Sequence, residues 1–593
     1  MSLFKSNIKL TRLFGGVDLL VLAALGAAVY GLIAVGTEFS GVLRPVVAID
    51  LSPWALPRYT LLSLFRGFAA YFISLMFTLI YGYVAAYNRR AEKIMVPLLD
   101  ILQSIPVLGF LPSLVLALVA LFPHSNIGLE LACILMIFTG QAWNMTFSFY
   151  HSLRAIPPDL RDAARVYRLT AWQRLLQLEL PSSAVGLVWN SMMSMAGGWF
   201  FLTVCEAFTL SDKDFRLPGI GSYMSVAMAK GDGAAMVYGV LAMMAMIVAV
   251  DQLFWRPIVA WSQKFKLEET EAATQSGSFV LELLHKSRLL RWLDTRVWTP
   301  LIALGQPRMS LATVSGPVAA PSELGTGGSR TSPGVRSRSE PGRIAWKTVG
   351  WCAALAVSAA VVWGGASAVK LLAHLNAADW LRVGKLTSLT FLRVFAAVAI
   401  GTLWTVPVGV AVGLSPRLSR VMQPVIQMMA SFPAPMLYPL VLIVLHAAGV
   451  TIDYAAVVLI LLGTQWYILF NVIAGAMALP QDLREVGVMY RMGTVEKWRR
   501  LILPGIFPYL VTGWVTAAGG AWNASIVAEY VQFRQHTLVA DGLGATISLA
   551  TDHGDFPMLA ACVLAMCVAV VGINRLVWKR LYNLAEEKFA LTK

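Results

Sequence analysis

An acidic residue, two small residues, then a tyrosine and an arginine, Asp162-Ala163-Ala164 with Tyr167-Arg168, recur 323 residues later as Glu485-Val486-Gly487 with Tyr490-Arg491. Residue types at these spacings do not make a catalytic set. A carboxylate, a phenol and guanidinium groups on one short helix supply charge-assisted hydrogen bonds and an aromatic anchor, the chemistry of docking into another protein's groove. At helical spacing, Leu160, Ala164 and Tyr167 share a stripe beside Arg161, Arg165 and Arg168. Leu483, Gly487 and Tyr490 beside Arg484 and Arg491 repeat the design, and each copy runs on to a Leu-Pro pair, Leu180-Pro181 and Leu503-Pro504.

No other constellation competes with it. The seven histidines are scattered, and Cys133, Cys205, Cys352, Cys562 and Cys567 fall in or beside apolar runs without ligand spacing, so no metal site is expected. Neither a nucleophile set nor a Gly-x-x-x-x-Gly-Lys-Ser/Thr loop occurs, so an enzyme is not expected and nucleotide phosphates are not handled in this chain.

The elements that must position the repeated motif are membrane spans. With 58% hydrophobic and 13% charged residues over 593 positions, too few polar groups remain to cover a soluble globule. Runs long enough to cross a hydrocarbon layer of roughly 30 Å fall at 17–36, 60–87, 95–121, 128–150, 184–206 and 236–255, then at 348–373, 385–413, 421–448, 454–478, 506–530 and 557–578. The expected fold is an all-α polytopic membrane protein of twelve transmembrane helices. The first run, preceded by Lys5, Lys9 and Arg12, reads as a retained span rather than a cleaved signal. Basic residues gather at that start, at Arg89-Arg90, in the repeated helices, in the middle stretch and at Lys579-Arg580, which puts these segments and both termini in the cytoplasm. The net charge of +15 is therefore largely an orientation signal, and nucleic acid is not expected as a partner.

The repeat extends outward. Trp143 pairs with Trp466, Trp199 with Trp522, Glu206 with Glu529, and Gly219/Gly221 with Gly542/Gly544; nearer each half's start, Arg66 pairs with Arg393 and Ser104-Ile105-Pro106 with Ser431-Phe432-Pro433. The chain is a tandem duplication. It divides into a first unit, 1–257, a linker, 258–347, whose Gly, Ser, Pro and Ala content over 310–342 cannot bury a core, and a second unit, 348–593. Because each basic helix follows four spans of its half and both face the cytoplasm, the two six-helix units are parallel repeats.

Asp162-Ala163-Ala164 and Glu485-Val486-Gly487, each followed 18 residues after the acid by Leu-Pro, resemble the coupling loop of type I ABC importer permeases. The proline-rich stretches 105–112 and 432–439, with Gly197-Gly198-Trp199-Phe200 and Leu217-Pro218-Gly219-Ile220-Gly221, are similar to the duplicated permeases of the nitrate/sulfonate/taurine group. The resemblance implies coupling loops at 158–181 and 481–504. It assigns docking on the ATPase to Asp162, Ala163, Ala164, Tyr167, Arg168, Glu485, Gly487, Tyr490, Arg491 and Gly493. It also implies two ABC ATPase subunits that carry ATP and magnesium, an extracytoplasmic substrate-binding protein, a bacterial inner-membrane location in contact with lipid, and a small anion as cargo. The family loop usually has glycine six residues after the acid, where this chain has Arg168 and Arg491; Gly493 is a candidate for the turn in the second copy, with Thr170 matching it in the first.

Polar residues inside spans are costly and mark candidate paths. Gln141, Asn144, Ser194, Gly198 and Trp199 in the first half, with Trp522, Asn523 and Ser525 in the second, form that set. Trp143, Ser191 and Trp466 stand beside them, while Glu206 and Glu529 read as acids at the outer end of the fifth span of each unit, where an acid is cheap, with a structural or gating role. A twelve-span secondary transporter is the alternative reading; it needs titratable groups at mid-membrane, and the span centres hold almost none.

Overall fold

The computed structural model describes residues 47–265 and 362–589 apart from 105, 211–212 and 534–535, with Gly26 and Ala359 as isolated positions. The expected first span, 17–36, lies outside the described residues except for Gly26, as do most of the linker and most of 348–373. One compact unit comprises 22–283 and 374–593; the other comprises 1–21 and 284–373, within which Val362–Leu372 is a short apolar helix. Both halves of the repeat belong to the former unit.

That unit begins with helices α1 Leu56–Tyr87, α2 Arg89–Ser104, α3 Leu111–Leu121, α4 Ile127–Arg154, α5 Pro158–Val166 and α6 Leu180–Cys205. A hairpin of β1 Ala207–Leu210 and β2 Lys213–Arg216 follows, then α7 Ile220–Lys230 and α8 Gly233–Val250. The second half repeats this plan with α9 Ala377–Leu414, α10 Pro416–Ser431, α11 Tyr438–Ala447, α12 Ile452–Met477, α13 Gln481–Met489 and α14 Leu503–Ala528. Its hairpin is β3 Tyr530–Phe533 with β4 His536–Val539, followed by α15 Leu543–His553 and α16 Phe556–Ile573. Both hairpins are antiparallel, with Ala207 opposite Arg216 and Tyr530 opposite Val539.

The fold is all-α apart from these two hairpins. Among the described residues seven helices are long and apolar enough to cross a membrane. The α6 helix, with its polar Ser and Asn positions, is not one of the seven but matches α14 at 26 residues. The stretches 95–121 and 421–448 are not single spans. Pro106 and Pro433 lack an N–H, and Phe432 before Pro433 is extended, and each stretch consists of a helix, a short tight turn (Val107–Phe110; Ala434–Met436) and a second helix. The sixth span continues past 257 as Arg256–Ser262 and Gln263–Phe265, so the linker's first residues are helical.

In lipid the association of helices rests on close packing rather than on hydrophobic transfer. Within the first half α4 lies between α1 and α6, and within the second α12 lies between α9 and α14. The halves then cross reciprocally. The Val107–Phe110 turn packs on α14 and the Ala434–Met436 turn on α6, while α7 meets β3 and α15 meets β1. The two hairpin ends therefore lie together, which puts α5 and α13, at the far ends of α4 and α12, together at the other end of the bundle.

Candidate functional site

At that end each docking helix is set by its neighbours. Pro157-Pro158 start α5, Pro158 occupying a first-turn position where its missing N–H costs nothing. The helix closes when the Leu169 N–H donates to the Ala164 carbonyl (3.0 Å), with Arg168 at φ +52°. In the second copy the Met492 N–H donates to the Gly487 carbonyl (3.1 Å) and Arg491 stands at φ +48°. Both are left-handed C-terminal closures, made with arginine at a cost of roughly 1–2 kcal/mol each. Gly493 does not make the turn. It has the same extended backbone as Thr170 (φ −63°, ψ 161°), and both start the next short helix, Thr170 through a reciprocal cap with Gln173.

The side chains of these helices divide. Arg161 and Arg484 turn inward, their Nη2 donating to the carbonyls of Leu153 (2.7 Å) and Ala476 (2.8 Å), and so cap the last turns of α4 and α12. Ala164 and Gly487 are buried against their own chain; a Cβ on Gly487 would sit 3.4 Å from Leu501. The stripe read from spacing is thus split: Ala164 packs inward, while Val166 with Tyr167 and Met489 with Tyr490 project outward, each at least 74% exposed. Ala163, Asp162 and Glu485 are exposed, and Asp162 pairs with Arg165 at 3.1 Å. Asp162 lies in the body of α5, so the first-turn acids that face the helix dipole are Asp159 and Asp482.

At the opposite end, each half contains a buried charge cluster. Arg66 donates from Nε and Nη2 to both oxygens of Glu130 (2.6 and 2.7 Å), and from Nη1 to Glu206 (2.8 Å) and the Pro218 carbonyl (2.8 Å). The Glu206 carboxylate also accepts from Ser63 and from the Gly221 N–H that opens α7. Arg393 repeats the design with Asp453, Glu529 and the Asp541 carbonyl, and Thr390 and the Gly544 N–H complete it. Only glycine fits beside these carboxylates: a Cβ on Gly219 or Gly542 would fall 2.3 and 2.1 Å from Glu206 and Glu529 atoms. Glu206 and Glu529 do stand at the ends of α6 and α14, but fully buried and paired rather than as acids held cheaply there. The clusters lash α1, α4, α6 and α7, and their counterparts, at the hairpin end.

The hairpins, both tight turns, α7 and α15 enclose a cavity of about 220 Å³ between the halves. Its wall is mostly apolar, with Arg216 from β2 and Tyr530, Gln532, Ser548, Thr551 and Asp552 from the second half. Tyr530 donates to Asp552; burial, then that bond and the carboxylate's charge, push the phenol up to about 12, so it keeps its proton.

Two copies of one short amphipathic helix stand on one bundle with the hairpin ends apposed, and comparison with known proteins gives the class. The family of binding-protein-dependent transport system inner membrane components matches over residues 78–254 and again over 401–584. The chain belongs to this family. It is similar to the bicarbonate transport system permease protein CmpB of Synechococcus elongatus, 29% identical over 152 residues, 26% of this chain and 51% of the relative. It is also similar to the nitrate import permease protein NrtB of Leptolyngbya laminosa, 27% identical over 136 residues, 22% and 47% of the two chains. The taurine transport system permease protein TauC of Escherichia coli is 26% identical over 199 residues, 34% and 66%. The chain spans about half the length of the first of these curated relatives. It carries the family's domain twice.

In this chain the polar residues singled out from the spans do not line the cavity. Gln141 is buried between α1 and α6, accepting from Ser74 (3.4 Å) and lying against Gly198, where a Cβ would clash at 2.3 Å. Trp199 and Trp522 are 2% exposed, Ser194 and Ser525 are buried, and Asn144 is half-buried. Asn523 alone among them bridges the halves, its Oδ1 accepting the Val107 N–H at 2.8 Å. The lining residues of the hairpins and the acidic partners Glu130 and Asp453 are additions from the structure. The matched spacing of Glu130 with Asp453 is their one signal in the sequence.

Proposed function

We propose that this chain is the fused membrane-spanning permease of an ABC importer for a small anion, with α5 and α13 each docking on an ABC ATPase subunit that holds ATP and magnesium. The observation that carries the reading is the pair of outward-facing tips, Val166-Tyr167 and Met489-Tyr490, at one end of a single bundle. Capped from beneath by Arg161 and Arg484, these helices transmit a push from a partner to the ends of α4 and α12. The anion class rests on the names of the relatives, which are said to transport bicarbonate, nitrate and taurine. An extracytoplasmic binding protein delivering to the hairpin end, an inner-membrane location, and cytoplasmic termini complete the reading.

The clustered carboxylates also bear on a secondary transporter. Each of Glu130, Glu206, Asp453 and Glu529 meets an arginine, so these acids serve as fasteners rather than as sites for a coupling ion. The decisive experiment is affinity purification of the tagged chain with co-expressed candidate ATPases, followed by mass measurement. One copy of this chain with two ATPase subunits, and hydrolysis that depends on the chain, is expected. A pair of these chains per two ATPases, or no association, overturns it.

A further inference from the structure

Four turns of π-helix stand among the described residues: Leu175–Glu179 and Asp251–Trp255 in the first half, Trp498–Ile502 and Asn574–Trp578 in the second. The halves place them at the same offset of 323, although only Leu178, Leu253 and Trp255 recur in the second copies. A π turn interrupts the α ladder on either side of it, and such turns are places where helices bend and function gathers. The first of each pair joins the docking loop to the foot of α6 or α14; the second continues α8 or α16. Asp251 shares a small space with Gln427, Met428 and Ser431 of α10, from the other half. In the first half, then, one turn stands where a push on α5 enters a span and the other where a span meets the second half.

Both turns of the first half are spanned by an ion pair between residues five apart. Arg174 Nε donates to Glu179 Oε1 (2.7 Å) and Arg256 Nε to Asp251 Oδ2 (3.2 Å). At that spacing side chains do not meet on an α-helix: with 3.6 residues per turn they stand about 140° apart around the axis, and neighbours are three or four apart. Where the backbone bonds run from i to i+5, they stand nearly one above the other. Each pair therefore fits the π form and is lost on a change to α. In the second half the same positions hold Lys497 with Ile502 and Asn574 with Lys579, neither a pair of opposite charges. The ion pair beside them, Glu496 with Arg500 at 3.1 Å, has the α spacing of four. The π turns of that half form nevertheless, so the ion pairs of the first half are not needed to make a turn. They hold it.

The two members of each pair differ in reach. The side chains of Glu179 and Asp251 are 1% and 16% exposed, those of Arg174 and Arg256 34% and 42%, so the carboxylates are fixed in the bundle and the arginines are the members that swing. Glu179 Oε2 has no partner; loss of Arg174 would strand a buried carboxylate, which favours the closed pair. Arg174 also lies over the Tyr87 ring at 5.3 Å and donates to Tyr83 at 3.3 Å, which ties this pair to the end of α1. We propose that Arg174–Glu179 and Asp251–Arg256 are positioning locks that keep the π turns of the first half in register, so that α5 is held to its spans while α13, whose turns carry no such pair, moves on its own. The proposal rests on the docking reading only for what pushes the two helices.

The test is hydrogen–deuterium exchange of the full chain in lipid nanodiscs. Glu179→Gln and Arg256→Gln, made singly, should each speed exchange of their own turn, 175–180 or 251–257, by about tenfold, the scale of one hydrogen bond to a charged group, and leave the other turn as it was. Glu496→Gln, which removes the α-spaced pair, should leave 498–503 unchanged. Asn574→Asp sets a carboxylate five residues before Lys579 and should slow exchange of 574–580 by a similar factor; it removes no buried charge, so it decides the matter where a loss variant fails to fold. Spin labels at Tyr167→Cys with Trp189→Cys, and at Tyr490→Cys with Thr512→Cys, in a background without native cysteines, then report the docking helices. The distance distribution should be narrower for the first pair than for the second, and should broaden with Glu179→Gln. Unchanged exchange in a folded loss variant, or in Asn574→Asp, overturns the locks, and equal widths for the two docking helices overturn the inequality drawn from them. Neither measurement contains an ATPase, so failure here leaves the importer reading standing, and a failure of ATPase copurification leaves the locks standing.

Discussion

Removing Glu130 and removing Asp453 are the same deletion in two copies of one cluster, yet the structure assigns them different costs. Glu130 holds Arg66 through two short bonds, and both side chains are only 2% exposed. Glu130→Ala strands part of a buried guanidinium, an event that costs about 3–5 kcal/mol. Arg66 keeps Glu206 and the Pro218 carbonyl, which sets the expectation at the lower end, about 3 kcal/mol. The Asp453 side chain is 50% exposed, so water replaces it, and Asp453→Ala should cost about 0–1 kcal/mol as for an exposed pair. The difference of about 2 kcal/mol corresponds to roughly a 30-fold change in the folded-to-unfolded ratio. Titration of the detergent-purified variants with dodecyl sulfate, followed by tryptophan fluorescence, reads both midpoints. Glu130→Gln, which keeps one oxygen acceptor, should recover part of the loss. If Asp453→Ala shifts the midpoint as far as Glu130→Ala, burial does not govern these clusters and the argument fails.

Much of the bundle was legible in the sequence because a repeat reports on itself: two halves in register gave the duplication, the docking helices and the pairing of Arg66 with Arg393 and Glu206 with Glu529. Hydropathy, however, measures a residue's position along a run and carries no information on what packs across from it. Glu206 and Glu529 therefore read as cheap acids at a span end; each does close a span, but is enclosed there by an arginine and a hydroxyl from one helix and a glycine N–H from another. The cluster partners Glu130 and Asp453 keep the offset of 323 but differ in side chain, and nothing in the sequence ties them to Arg66 and Arg393, whose offset is 327.

The breaks at Pro106 and Pro433 show the same limit differently. The prolines were visible, but the runs stay apolar across them, and an apolar count cannot divide a span. The path residues failed to converge for a related reason. A polar group within a span is conspicuous, yet Gln141 bonds Ser74 on a neighbouring helix and Ser525 bonds the Trp522 carbonyl of its own. Of the residues that line the cavity, those in α7, α15 and most of the hairpin positions lie between the apolar runs, and a search confined to spans does not weigh them.

The remaining expectations probe both ends of the bundle. Gly219→Ala and Gly542→Ala, each forcing a Cβ within 2.3 Å of a buried carboxylate, should lower the yield of folded protein; wild-type yield for both would remove the cluster's steric argument. Tyr167→Cys and Tyr490→Cys, in a background without native cysteines, should label from the cytoplasmic side alone, and labelling from outside excludes docking on an ATPase. Asp162→Arg with Glu485→Arg, and separately Tyr167→Asp with Tyr490→Asp, should reduce ATPase copurification while the membrane-inserted amount stays normal, since all four residues are exposed. The turn arginines carry the last expectation. Arg168 and Arg491 hold positive φ on exposed backbone, where glycine is cheaper by roughly 1 kcal/mol; a side chain kept there at that cost is kept for what it meets. Arg168→Gly with Arg491→Gly should therefore leave the unfolding midpoint unchanged or raised and weaken ATPase association, whereas the lysine pair should preserve association by keeping the charge. Undiminished copurification of the glycine variant would mean that the arginines contribute nothing to docking, and that the left-handed turn is all the partner requires.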